Sequence, residues 1–312
     1  MDEYYKNQFV RDLAWVISSP SLFESLPNRN HLIILSDYFF ESEYVHLKEL
    51  LEKLDNDPSW LEFHIQSGNN KLLGKYFESL AEFWFLNSER FDLIDKSVQI
   101  NINGDTKGEL DFILRDKIKN RFLHLEAAGK FYLSAANSVS WETFIGPNPN
   151  DNLKNKMYKL LNEQIHLSKS ASGKNKLIEL GIDELDPALM IKGYFFYHLN
   201  NFLANDFSIP EYANPNHNKG WWIRFGEIEK LYGLNTNHWI ILKRMNWISK
   251  ALTKNLNDVI DTNTLLIFLH SYFEFNHYPI LIASVRKNGE HFIEVSRGFI
   301  VSDLWPDLNF IH

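Results

Sequence analysis

From Phe9 to Leu86 apolar residues recur mostly with the spacing of a helix. Val10, Leu13, Val16 and Ile17 share one helical face, and Pro20 ends that run because it cannot donate to a helical ladder. Residues 43–54 repeat the pattern as a second amphipathic helix, and a third runs from about Lys71 to Asn87 with Leu73, Tyr76, Phe77, Leu80, Phe83 and Trp84 as its buried stripe. The period then shortens. Residues 91–101, 107–115 and 121–132 alternate or form β-rich runs between Asn, Gly and Asp, which predicts three consecutive strands in a meander. Gly146, Pro147, Asn148 and Pro149 mark a turn, with Asp151 or Asn150 as the cap of a helix that buries Leu153, Met157, Leu160, Leu161 and Ile165. Residues 188–199 read as a buried strand. The final third predicts helices over about Trp239 to Leu252 and Asn263 to Phe273. A hairpin of strands 279–286 and 291–301 turns at Asn288-Gly289. The polar stretches 168–176 and 211–219 are the expected loops.

The expected class is therefore α+β. Its parts are an N-terminal helical segment (1–70) packed on the core, a central core (71–200), and a C-terminal helix-plus-hairpin extension (201–312) of the same compact unit.

Candidate chemistry sits on the second and third strands. Alternation places Glu109, Asp111 and Ile113 on one face of the second, and His124, Glu126, Ala128 and Lys130 on one face of the third. Neighbouring strands thus present carboxylates and an amine from one side. Hard divalent cations take oxygen ligands, and magnesium uses one or two carboxylates while keeping water for a substrate phosphate. A nearby lysine can serve the attacking water or offset charge on the phosphate. The same spacing also describes acidic residues on the solvated face of a half-covered sheet.

Composition narrows the options. The 312 residues contain no cysteine, which excludes disulfides, thiolate zinc sites and cysteine nucleophiles and suits a reducing cytoplasm. The formal net charge of -8 counts against tight wrapping of duplex DNA, but a local basic face remains in Lys154, Lys156, Lys159, Lys169, Lys174 and Lys176. Met1 to Asn7 lacks the profile of a signal peptide, and no apolar run approaches the ~20 residues of a membrane-spanning helix. Ser172-Gly173-Lys174 lacks the glycine a phosphate-binding loop requires, and no GxSxG element occurs. His124 is expected as a hydrogen-bonding neighbour of Glu126, and His217 with Trp221 and Trp222 as core.

Block order adds a further reading. GKYFESL (74–80), GELDFIL (108–114), HLEAAGKFYL (124–133), the segment from Gly146 to Ser168, KGYFFY (192–197), HNKGWW (217–222) and RGFIVSDLWP (297–306) together resemble the PD-(D/E)XK nuclease superfamily, and within it a bacterial family of unknown function. The resemblance implies a restriction-endonuclease-like mixed sheet flanked by helices. It also implies a nuclease that hydrolyses phosphodiesters in nucleic acid with Mg2+ or Mn2+. Glu78, Asp111 and Glu126 would hold the metal, Lys130 would complete the catalytic set, and Lys154, Lys156 and Gln164 would contact substrate. The alternative is a protein that keeps this fold as a binding or scaffold module without catalysis.

One departure bears on Lys130. The superfamily spaces acid and lysine two apart, and Ala128 stands in that place here. Glu126 and Lys130 lie about 13 Å apart along an ideal strand. A bulge at Gly129 would shorten the distance; without one, Lys154 or Lys156 would substitute.

Overall fold

The structure is a computed structural model that describes residues 5–27, 31–68, 71–102 and 105–307; of the stretch Met1 to Asn7, only the part from Tyr5 lies within them. Helix α1 (Gln8–Ser18) is capped by Asn7, whose side chain accepts from the N–H groups of Phe9 and Val10. A short strand β1 (Ile33–Ile34) precedes α2 (Asp37–Asn56), which Ser36 caps and which therefore begins well before the expected residue 43. Helices α3 (Ser59–Ser67) and α4 (Leu73–Asn87) follow, the first of them not foreseen.

The three expected strands are β2 (Phe91–Ile102), β3 (Asp105–Asp116) and β4 (Arg121–Ser134), joined antiparallel as a meander. Strand β5 (Phe144–Ile145) pairs with the end of β4, and helices α5 (Leu153–Asn162) and α6 (Ala171–Glu179) lead to β6 (Asp186–His198), which lies parallel to β4. The remaining elements are α7 (Leu199–Ala204), β7 (Asn218–Arg224), β8 (Trp239–Leu242), β9 (Leu252–Thr253), α8 (Thr262–Phe275), β10 (Ile280–Asn288) and β11 (His291–Val301). Gly289 turns the β10–β11 hairpin at φ 60°. Among the described residues one mixed sheet runs in the order β2-β3-β4-β6-β7-β11-β10-β8, so the protein is α+β with helices on both faces. Helices α1 to α4 cover one face over Phe112, Leu114, Leu123, Leu125 and Met190, while α5 covers the other over Tyr132, Leu189, Ile191 and Phe195. His217, Trp221 and Trp222 are buried, as expected of core residues. No helix of the described residues is long and apolar enough to cross a membrane.

Two expectations fail for physical reasons. Residues from Trp239 to Leu252 are not a helix: Trp-Ile-Ile-Leu forms β8, aligned with β10 from Trp239 opposite Ser284 to Leu242 opposite Leu281. A short apolar run rich in β-branched and aromatic residues does not reveal its period, and strand pairing decided it. Residues 168–176 are not a loop. They span a 3-10 turn (Gln164–Lys169) and the start of α6, which Ser170 caps through the N–H of Gly173 and whose Leu177 is buried.

The segment after β8 is held from two sides. Arg297, buried on β11, donates to the carbonyls of Trp247 and Ser249 and, at 2.6 and 2.8 Å, to Glu294. Glu294 accepts the N–H of Ala251 at 2.7 Å. From α1, Asp12 accepts the N–H of Ser249 at 3.0 Å and the hydroxyl of Tyr76 at 2.8 Å. Removing one partner of a buried, hydrogen-bonded ion pair costs about 3–5 kcal/mol. Arg297→Met is accordingly expected to lower stability in urea unfolding by about that amount; an unchanged midpoint would show that the clamp is not structural.

Candidate functional site

The site forms where β3 and β4 part. Their ladder runs from Asp116 opposite Arg121 to Phe112 opposite Leu125 and stops there. At the next position the side chain of Asp111 replaces the strand: its Oδ2 accepts the N–H of Ala127 at 3.0 Å. Strict alternation along β3 also breaks here. Leu110 and Ile113, which alternation sends to opposite faces, pack in one cluster with Leu177 and Leu185. On β2, Ser97 falls between the pairs Lys96–Phe112 and Val98–Leu110 and takes the left-handed conformation at φ 51°. The edge that β4 turns toward β3 is not paired again until Leu133 meets β5. Ala127 to Phe131 of that edge border a cleft of about 370 Å³, whose walls include Glu78, Asp111, Asp151, Lys156, Gln164, Arg244 and Trp247.

Glu126 is almost fully buried and is not among the residues that line the cleft. Its carboxylate is fixed at both oxygens. His124 Nε2 lies 2.8 Å from Oε1, and Gln164 Nε2 donates to Oε2 at 2.8 Å. His124 is thus the expected hydrogen-bonding neighbour, and its Nδ1 is buried with no partner among the described residues. Gln164 is carried by the turn after α5. Its carbonyl oxygen receives Lys156 Nζ at 3.4 Å, so amine, amide and carboxylate form a chain. Lys156 faces the cleft because Leu153, Met157, Leu160 and Leu161 turn the other side of α5 into the core. Glu78, on α4, lines the cleft with its carboxylate 2.7 Å from Lys75 Nζ.

The lysines divide. No bulge occurs at Gly129: β4 pairs with β6 residue for residue from Leu123 to Leu133. The irregularity lies on the partner strand, where Gly193 sits at φ 147° and a Cβ would come 1.6 Å from the carbonyl oxygen of Lys130. Only glycine allows that approach. Lys130 lines the cleft, but its amine donates to Asp151 at 2.7 Å, and Tyr132 donates to the same carboxylate at 3.1 Å. Asp151 is therefore not the helix cap; Asn152 is, accepting the N–H of Asn155. Lys154 turns outward to an exposed ion pair with Glu142 and does not line the cleft. Asp151, Arg244 and Trp247 were missed by sequence reasoning. The turn pattern predicts Asp151 or Asn150 as a helix cap, where the structure has Asn152, and the other two lie in the stretch expected as helix.

Electrostatics tie the groups together. Burial, and then the charge of Glu126, push the Asp111 carboxyl up to about 8, with Glu78 adding to the effect. Burial, and then Lys130, hold the Lys156 amine below its ordinary value, while Glu126 and Asp111 act in the opposite sense. Carboxylates crowded in this way fit a cation. The oxygen-only donors suit a hard ion such as Mg2+ or Mn2+. Among the described residues no three His, Cys, Asp or Glu side chains are grouped so as to hold a metal ion, so Glu78, Asp111 and Glu126 do not meet as a preformed ligand set.

The chain matches the family described as Domain of unknown function (DUF1853) over residues 11–301, and it belongs to that family. No curated protein and no solved structure matches it.

The raised carboxyl makes stability depend on pH. Between the unfolded value near 4 and the folded value of about 8, the native state binds more protons than the unfolded one, so stability falls as pH rises through that window and levels off above it. Asp111→Asn keeps an acceptor for Ala127 and removes the charge. In metal-free buffer it should abolish this slope and exceed wild type at pH 8 by on the order of a few kcal/mol in urea unfolding. Parallel pH profiles for the two proteins would contradict the assignment.

Proposed function

We propose that the protein is a metal-dependent hydrolase of phosphodiester bonds in nucleic acid, built on the plan of the PD-(D/E)XK nucleases. The observation that carries this reading is the Asp111 carboxylate, held at the parting of two strands beside Glu126 and the amine of Lys156. Asp111 and Glu126, with Glu78 close by, would hold Mg2+ or Mn2+. Such an ion, when bound, supplies Lewis-acid stabilisation of charge on phosphate and acidifies a bound water.

The protein's own groups supply the rest. His124 and Gln164 keep Glu126 in one orientation, which matters because misplacement by an ångström is costly in catalysis. Lys156, its amine lowered by burial, would take the proton of the attacking water at Nζ. Lys130, neutralised in part by Asp151, would orient phosphate rather than move a proton. This assigns to Lys156 the role that the family resemblance gives to Lys130. The lack of cysteine is in keeping with a cytoplasmic place of action. A scaffold without catalysis is the second reading, favoured by the pairing of Lys130 with Asp151.

Purified protein with Mg2+ is expected to cut DNA or RNA. Asp111→Ala and Glu126→Ala should each lower the rate at least ~100-fold, and Lys156→Ala should cost more than Lys130→Ala. Undiminished cleavage in both carboxylate variants would exclude the assignment, and a wild-type protein that cuts neither polymer would favour the scaffold.

A further inference from the structure

A second cavity opens beside the acidic cleft. It measures about 620 Å³, within the ~300–1,000 Å³ of small-molecule sites, and it shares Pro147, Asn148, Arg244 and Trp247 with the cleft. The two spaces therefore lie side by side, with those four residues at their border.

The chemistry of the second space differs from that of the first. Helix α8 buries Leu265 and Leu269 against the sheet and so turns Phe268 and Tyr272, four apart, toward the cavity. Their rings stack at 5.9 Å. Tyr278, from the link between α8 and β10, completes the aromatic wall, and it and Phe268 are exposed at 61% and 37%. Exposed rings on one wall of a cavity have a use beyond packing, since base–aromatic stacking needs an accessible ring face. At the border Arg244 lies with its guanidinium carbon 5.7 Å from the Trp247 ring centroid, and among the described residues it has no carboxylate partner. It is placed to meet a phosphate passing from one space to the other. The clamp of Arg297, Glu294 and Asp12 holds the segment that carries it.

We propose that the aromatic cavity takes unpaired nucleobases of the strand whose phosphate lies in the cleft, so that the substrate is single-stranded nucleic acid. This deepens, and for the cleft rests on, the hydrolase reading. Within a duplex the base faces are covered by their stacked neighbours, and ring-lined pockets receive bases only from unpaired or extruded strands. The acidic balance of the chain points the same way. A net charge of -8 counts against affinity drawn mainly from phosphate neutralisation, on which tight duplex binding leans, and stacking would supply the missing part.

The test is fluorescence anisotropy of short labelled oligonucleotides in EDTA, so that binding is read without cleavage. Single-stranded DNA, single-stranded RNA and a DNA duplex of the same length are compared on wild type, on Phe268→Ala with Tyr278→Ala, and on Phe268→Trp with Tyr278→Trp. Both positions are exposed, so the fold should survive, and circular dichroism checks it. Wild type is expected to prefer at least one of the single strands to the duplex. Removing both rings should weaken that binding on the order of tenfold or more, while the tryptophan variant retains it. Equal binding of strand and duplex, strand binding indifferent to the rings, or no binding of any oligonucleotide overturns the proposal. The two readings fail separately. Ring-dependent strand binding without Mg2+-dependent cleavage sinks the hydrolase and keeps the cavity assignment; cleavage with ring-independent binding does the reverse.

Discussion

A main-chain N–H inside a protein needs a partner, and at Ala127 that partner is a carboxylate instead of the next strand. Asp111 ends the β3–β4 ladder by taking the place of a backbone carbonyl, and the two strands part beyond it. The same contact opens the cleft and draws a carboxylate to its floor. It also brings Asp111 close enough to Glu126 for that neighbour's charge to raise the cost of ionising Asp111. Stability and chemistry pull in opposite directions at this point. The arrangement is unfavourable as a pair of bare anions and favourable once a cation or a proton is present.

The rest of the fold keeps that opening in shape. Gly193 lets β6 press against β4 behind Lys130, so β4 stays straight where one of its edges is unpaired. Helix α5, begun by Asn152, brings Lys156 to the cleft, and the turn that follows brings Gln164 to Glu126. Across the cleft, two buried polar groups from different parts of the chain, Asp12 and the Glu294–Arg297 pair, fix the segment bearing Arg244 and Trp247. One wall belongs to the central strands and the other to the final third, so the site exists only when the sheet is complete.

Much of this was legible from periodicity. The α4 stripe, the meander, the buried strand β6 and the Asn288-Gly289 hairpin each carry a strong local pattern, and each lies within a few residues of its expected span. The face shared by His124, Glu126 and Lys130 was legible for the same reason, because β4 has no bulge. What could not be read depends on contacts distant in sequence. Trp239 to Leu242 became a strand because β10 offered an edge. Lys130 found Asp151 because a turn of the chain returned there, and Lys156 came to the cleft because the opposite side of its helix is buried. The parting of β3 and β4 has no signature in alternation, which would have continued straight through Asp111.

The central claim is that the Asp111–Glu126 pair is a cation site, and calorimetric titration with Mn2+ or Mg2+ near neutral pH tests it most directly. Run in buffers of different ionisation enthalpy, it reads ion uptake and proton release together. With the Asp111 carboxyl pushed up to about 8, wild type should bind the ion and release a proton, and Asp111→Asn should bind more weakly and release none. Metal uptake that is the same in both proteins, or absent at millimolar metal, would contradict the account.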